Sequence, residues 1–269
     1  MDGVAICTDS SALLSASAAA SLAVDVVPLT VTLDSAPFDE VMSSLDWFYE
    51  RLRAGASSET ADPATQELLA AYERAADRGA EAVVSIHPDA RISEIATSAE
   101  AAAAAASLPV FVVDTRTVGY GVGLCVRAAA AALASGGAAG DATRAASRLG
   151  ASIQNAFVVR SGPGTRVSPD EGWTAFRYEY GAPVRLSVHA TLTEAVAELV
   201  DLVGTQTQVA AAIGHAAREV EPAADELARR LAATGVVAES ERYRLGAAAA
   251  AVTGPDCLGL VWWPASSTR

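Results

Sequence analysis

The sequence predicts an α/β protein of two domains, with a parallel sheet covered by helices on both faces in residues 1–150 and a smaller α/β domain in residues 151–269. Three observations carry that expectation. Short Val-rich runs bounded by turn residues alternate with longer Ala-rich stretches through the first half, the pattern of parallel strands joined by helices. After a glycine-rich break, three strand candidates follow one another with no helix between them, which calls for a mixed or antiparallel sheet. A chain of 269 residues, 51% hydrophobic, is also long enough to bury two modest cores.

The first strand is the apolar run that begins at Val4 and closes on Thr8-Asp9-Ser10-Ser11, placing four small polar groups just past its end. Further runs, "VDVVPLTVTL" at 24–33, "AVVSIH" at 82–87 and "PVFVVDT" at 109–115, predict three more strands. Between them the segments 11–22, 45–53, 63–78, 93–106 and 121–133 predict helices, and all but 45–53 are rich in alanine, which has the highest helix propensity. The segment "ASGGAAGDA" breaks this alternation, although "TRAASRLGASIQ" beyond it still reads as a helix. In the second region "NAFVVRS", "WTAFRYEY" and "APVRLSVHA" read as consecutive strands, helices are expected at 192–203 and 221–234, and "TQVAAAIGH" and "CLGLVWW" complete the set. Trp47, Phe48 and Tyr49 are expected to pack a helix face on the core, and Trp262 and Trp263 to be core with one ring partly exposed.

Composition narrows the function. A formal charge of −13, from 32 acidic against 19 basic residues, sets up net repulsion toward nucleic acid and acidic membrane surfaces. Cys7, Cys125 and Cys257 form no Cys-x-x-Cys pair and lie at no zinc-finger spacing from a histidine, so they read as buried thiols. No basic n-region opens the chain and no segment is apolar for long enough to span a bilayer, which points to the cytoplasm.

Most of the reactive side chains lack partners in sequence. His87, His189 and His215 stand alone, without a metal-binding pattern, and His87 is expected on an exposed loop at a strand end. Gly-x-Ser-x-Gly is absent, and no base is evident that could activate Ser10, Ser11 or Ser93. Gly119-Tyr120-Gly121-Val122-Gly123 follows a strand and opens a helix, but its third glycine comes one residue early for a dinucleotide turn, so close helix packing explains it better. Asp9 and Asp114 each end a strand, where a helix cap or a loop-backbone bond is the ordinary role.

The order of the strand-end junctions carries a resemblance. "ICTDSSALL", "VDVVPLTVTLDSAPF", "SSETADPATQELLAAYE", "DARISEIATSAEAAA", "VFVVDTRTVGYGVG" and "TGPDCLGLVWW", in that order, resemble the DegV family of bacterial fatty-acid-binding proteins, some of which are the acyl-carrying subunit of fatty acid kinase. The match spans most of residues 4–133 and the C-terminal stretch. It implies two α/β domains with a fatty acid or related acyl lipid between them, no catalysis by this chain, no cofactor, and a separate kinase subunit as partner.

By the same resemblance the carboxylate-binding Thr-Ser-x-Pro-Ser segment becomes Thr60-Ala61-Asp62-Pro63-Ala64, and the Leu-Ser-Gly-Thr segment becomes Ile92-Ser93-Glu94-Ile95. Thr60 and Ser93 are thus the expected head-group hydroxyls, joined by Asp9 and Ser10 from the first loop, Thr253 from a Thr-Gly-Pro turn, and Arg166 from "SGPGTRVS". Hydroxyls at helix starts suit a desolvated anion because free N–H groups and the helix dipole add to them. If they only cap helices, each contributes about 0.5–2 kcal/mol.

Several departures fall at the head-group end. Glu94-Ile95 stands for Gly-Thr, Asp62 is acidic where the family is neutral, and Val252 and Asp256 replace a histidine and a glycine. Two like charges about 4 Å apart repel by roughly 4 kcal/mol at an effective dielectric of 20. Two other classes stay open: a degenerate member acting as scaffold or regulator without lipid, to which the lost donors point, and a small-molecule phosphotransferase, suggested by the parallel α/β layout and the glycine-rich turn at Gly119.

Overall fold

The computed structural model describes residues 3–40, 43–162, 165–167 and 171–265. Its elements run in the order β1 (Val4–Asp9), α1 (Ala16–Ser21), β2 (Val24–Val27), β3 (Thr30–Leu33), β4 (Ala36–Pro37), α2 (Leu45–Arg53), β5 (Ser58–Ala61), α3 (Thr65–Asp77), β6 (Ala82–His87), α4 (Ile95–Ala105) and β7 (Val110–Asp114). They continue with α5 (Tyr120–Ala134), α6 (Ala139–Gly150), β8 (Gln154–Arg160), β9 (Trp173–Glu179), β10 (Ala182–His189), α7 (Leu192–Gly204), β11 (Val209–His215), α8 (Glu221–Ala233), β12 (Val237–Arg244), α9 (Ala247–Thr253) and β13 (Cys257–Pro264). Two compact units result: Met1–Leu29 with Ala61–Ser152, and Thr30–Thr60 with Ile153–Arg269.

The first unit holds a four-stranded sheet ordered β2-β1-β6-β7, parallel throughout. Cys7 and Val83 turn to one face, where Leu68, Ala71, Tyr72 and Ala75 of α3 and Ile95, Ala99 and Ala102 of α4 bury against them. Alternate residues such as Ile6, Val84 and Ile86 are buried toward the other face, which α5 and α6 cover. The α/β expectation therefore holds, with helices on both faces.

Glycine sets how closely α5 approaches the turn at Ser10–Ala12 and how closely α6 approaches the end of β7. A Cβ at Gly123 would collide with the backbone oxygen of Ala12, and one at Gly150 with that of Thr115. Within the Gly119–Gly123 run it is Gly123 that allows this close packing.

The second unit contains a six-stranded mixed sheet ordered β10-β9-β8-β13-β11-β12, antiparallel except for the β11–β12 pair. One face packs Ala156, Val158, Ala211, Ile213, Leu258 and Leu260 under α7 and α8. The opposite face, with Val159, Phe176 and Cys257, receives Phe48, Tyr49 and Leu52 of α2 together with Val31 and Leu33 of β3. Tyr49 Oη also donates to Leu245 O at 2.7 Å.

That second core explains where the structure departs from the expected division at residue 150. The apolar residues of Thr30–Thr60 find their partners in the C-terminal sheet, so this segment joins the second unit and makes it the larger of the two. For the same reason "VDVVPLTVTL" is two strands, β2 in the first sheet and β3 in a small sheet ordered β4-β3-β5. The glycine-rich break also shifts: α6 already begins at Ala139. Strands β5 and β12 and helix α9 were not anticipated, because "SETA" and "VAESERYR" are polar edge-type strands and α9 has only seven residues.

Candidate functional site

At the ends of β1 and β6 the first unit carries a fully buried chain of polar groups. Asp9, His87, Ser85 and Tyr72 each have no exposed surface. Because a carboxylate only accepts, His87 donates through Nδ1–H to Asp9 Oδ2 at 2.8 Å. A neutral ring then accepts at Nε2 from Ser85 Oγ–H at 2.7 Å, and Ser85 accepts from Tyr72 Oη–H at 2.8 Å, a tautomer assigned from the network. Asp9 is completed by Ser11, whose N–H donates at 3.0 Å and whose hydroxyl donates as well, so Asp9 caps the 3-10 turn at Ser10–Ala12.

The order Ser-His-Asp matches a hydrolase triad atom for atom. Ser85, however, lies in the core with its oxygen already accepting from Tyr72, where no substrate meets it. The cluster is a structural clamp on the Asp9–Ser11 turn. His87 is therefore not the exposed loop residue its strand-end position suggested. Ser85 and His87, two apart on a strand facing helices, were the available signal, and Asp9 seventy-eight residues away could not be added from local pattern.

The remaining expected residues divide between capping and bracing. Ser10 Oγ accepts from Leu29 N–H at 2.9 Å and so ties the first loop to the end of β2. Ser93 Oγ accepts from Ile95 N–H at 3.1 Å, the ordinary capping bond at the start of α4. It also donates to Asp62 Oδ2 at 2.9 Å, and the Glu94 N–H donates to that same oxygen at 2.9 Å. A carboxylate of the chain itself thus sits on the donors expected for a ligand. The Glu94 side chain is exposed and takes no hydrogen bond or ion pair among the described residues.

Within the second unit, Thr60 lies on β5 and its Oγ1 is buried without a hydrogen-bond partner. It is not a helix cap. Ala64 precedes α3, and Glu67 reaches back to accept from its N–H at 2.7 Å. Pro63 accordingly sits before the first turn, not in it. Ser58, at the start of the same strand, is 6% exposed and its hydroxyl is also unpartnered.

Arg166 donates through its guanidinium to Ser58 O and through its N–H to Val252 O at 3.0 Å, bracing β5 against the end of α9. Neighbours Pro163, Gly164 and Ser168 of its "SGPGTRVS" segment lie outside the described residues. Thr253 turns its hydroxyl back to Ala249 O at 3.1 Å, an i−4 bond within α9. Asp256, the residue in place of a glycine, forms an ion pair with Arg53.

Elsewhere the titratable groups pair locally. A shallow polar depression of about 160 Å³ beside α2 is lined by Asp46, Arg53, Arg218 and Glu219, all engaged with one another or with Arg244 and Asp256. His189 shares Nε2 with Glu198 and Ser187 at a surface of β10. Among the described residues no three His, Cys, Asp or Glu side chains group as metal ligands, and no helix is long and apolar enough to cross a membrane. Burial pushes the thiols of Cys7, Cys125 and Cys257 up to about 12, so they are poor nucleophiles near neutrality. Trp262 and Trp263 are both 3% exposed, so neither ring lies partly open as expected.

Comparison with known proteins agrees with this architecture. A DegV domain-containing protein of Streptomyces coelicolor is 30% identical over 276 residues, covering 96% of this chain and 97% of its own. A Thermus thermophilus DegV family protein described as fatty acid binding superposes with a TM-score of 0.84 at 24% identity, covering 97% of this chain and 99% of its own. A stearic acid-binding protein of Eubacterium ventriosum gives 0.85 at 18% identity over 98% and 99%, and both solved structures share the fold. The model of the DegV family, described as an uncharacterised protein family, matches residues 3–161, and with the relatives this means that the chain belongs to the DegV family.

Proposed function

We propose that this chain is a cytoplasmic, non-catalytic carrier that binds a fatty acid or related acyl lipid. The observation that carries the reading is Thr60: a buried hydroxyl with no partner, in the "TADPA" segment that leads into α3. An unsatisfied buried hydroxyl costs roughly 1–3 kcal/mol, a cost relieved when a ligand supplies the missing bond. The fatty-acid binding described for DegV relatives of the same fold supports an acyl ligand.

In this reading Thr60 in the second unit and Ser93 in the first are each candidate head-group hydroxyls of their own unit, with Asp9 and Ser10 shaping the first loop of one and Arg166 and Thr253 the turn at the end of α9 in the other. The hydrocarbon chain supplies most of the affinity, at about 0.8 kcal/mol per buried CH2 before the costs of association. Where the bound lipid is a free acid, its carboxylate is handed to a separate ATP-using kinase subunit. The occupied donors at Ser93 and Glu94 favour one alternative, a scaffold that holds no lipid.

Extraction of the purified protein followed by lipid mass spectrometry tests the proposal. Co-purifying acyl species are expected, and Thr60→Ala should lower their retention at least fivefold. Absence of acyl species, with no binding of added lipid, rejects the carrier role in favour of the scaffold.

A further inference from the structure

We propose that the exposed face of α2 around Trp47 and Glu50 docks a partner protein through an arginine side chain of that partner. The surface lies wholly in the second unit and serves this contact whatever ligand the chain carries. Charge balance and an exposed aromatic ring point to it together.

The shallow depression of about 160 Å³ beside α2 is lined by three carboxylates, those of Asp46, Glu50 and Glu219. Two of them are neutralised within the chain. Asp46 pairs with Arg218 at 2.7 Å and with Arg244, while Arg53 pairs with both Glu219 and Asp256. Hydrogen bonds from Arg244 and from Arg53 hold the Asp46 and Glu219 carboxyls below their usual range, so both stay committed to these partners near neutrality. Three guanidinium groups thus cancel three carboxylates. Glu50 is left over: its exposed side chain takes no hydrogen bond or ion pair among the described residues, and the neighbouring Arg51 is bonded to Asp34 instead. The depression therefore holds one surplus negative charge, the complement of a single cation.

One turn away on the same side of α2, Trp47 is 49% exposed. Phe38 stacks on the indole with ring centroids 6.3 Å apart and packs in turn on the buried Phe48 at 4.6 Å, which holds the Trp47 ring at the surface. A guanidinium suits these two neighbours better than an ammonium does, because its planar fork meets a carboxylate while its face stacks on an indole. The occupant is a protein and not a free small cation for two reasons. A lone ion pair at so shallow a surface contributes little. Presented on a chain, the same group brings apolar neighbours onto Trp47, Phe38 and the exposed Pro37, and the formal charge of −13 attracts a basic surface.

Fluorescence anisotropy with fluorescein-labelled Ala-Leu-Arg-Leu-Ala-amide, and with the same peptide carrying neutral citrulline in place of arginine, tests this on the intact chain. The arginine peptide should bind at least tenfold more tightly, and added salt should weaken it. Glu50→Gln should bring the two peptides within twofold of each other, and Trp47→Ala should weaken the arginine peptide at least fivefold. Both positions are exposed, so either variant keeps the fold. Acetyl-arginine amide, which lacks the apolar neighbours, should compete at least tenfold less well than the unlabelled peptide. No binding of the arginine peptide, equal affinity for the citrulline peptide, or an arginine preference that survives Glu50→Gln overturns the proposal. Competition by acetyl-arginine amide as strong as by the peptide also overturns it, and assigns the depression to a free small cation.

Discussion

Tyr180 and Gly181 form the two-residue turn between β9 and β10 with φ of 50° and 84°, so a bulky aromatic residue occupies a left-handed position. Its ring is 88% exposed and gains nothing from packing to offset the strain. Tyr180→Asn should raise stability by about 1 kcal/mol, since Asn tolerates this conformation and left-handed backbone costs other residues roughly 1–2 kcal/mol. A thermal melt that does not move upward would count against the turn assignment. Asp9 belongs to the opposite case, a buried group whose removal strands its partners. Asp9→Ala leaves the His87 Nδ1–H without an acceptor and should cost roughly 1–3 kcal/mol, whereas Asp114→Ala, exposed and bonded mainly to the Arg116 N–H at 2.8 Å, should cost far less. Similar losses from the two variants in urea titrations would remove the clamp from the account.

At the scale of elements, close approach separates glycines that look alike in sequence. Gly123→Ala and Gly150→Ala drive a methyl group into a backbone oxygen that cannot rotate away, and each should cost roughly 1–3 kcal/mol or more. Gly204, the last residue of α7, has open space around its missing Cβ, so Gly204→Ala should be stabilising by up to about 1 kcal/mol from helix propensity alone. Opposite shifts in denaturation midpoint are the expected readout, and shifts of the same sign would contradict the packing of α5 and α6. Most helices and strands were legible because hydrophobic period is a local property: 45–53 coincides with α2, and the three consecutive strands of the second unit fall on β8, β9 and β10. Strand β12 was not legible because its polar, charged face lies at a sheet edge, where exposure removes the alternation that marks a strand.

For the molecule as a whole, the three buried thiols predict an alkaline limit to stability. Burial raises each from 9.0 to about 12, so the folded state disfavours the thiolate. A group whose folded pKa is raised stabilises fully below its unfolded value, and that contribution is lost as pH climbs from about 9 toward 12, at up to roughly 1.4 kcal/mol per pH unit for each thiol. Urea midpoints should accordingly fall across this interval, and a Cys125→Ser variant should lose less of its own stability over the same range. Rapid labelling of all three thiols in the native protein at neutral pH would show that they are not buried as described.

The sequence alone determined the α/β class, the helical and extended segments with strong period, and the family resemblance. Each depends on residues close together in the chain or on the order of short motifs. Tertiary structure alone decided that Thr30–Thr60 joins the C-terminal sheet, that His87 is buried against Asp9, and that Asp62 reaches the donors of Ser93 and Glu94. The physical reason is the same in all three. Burial and hydrogen bonding are satisfied by whichever groups the packed core brings within about 3 Å, and separations of thirty or more residues leave no periodic trace of that choice.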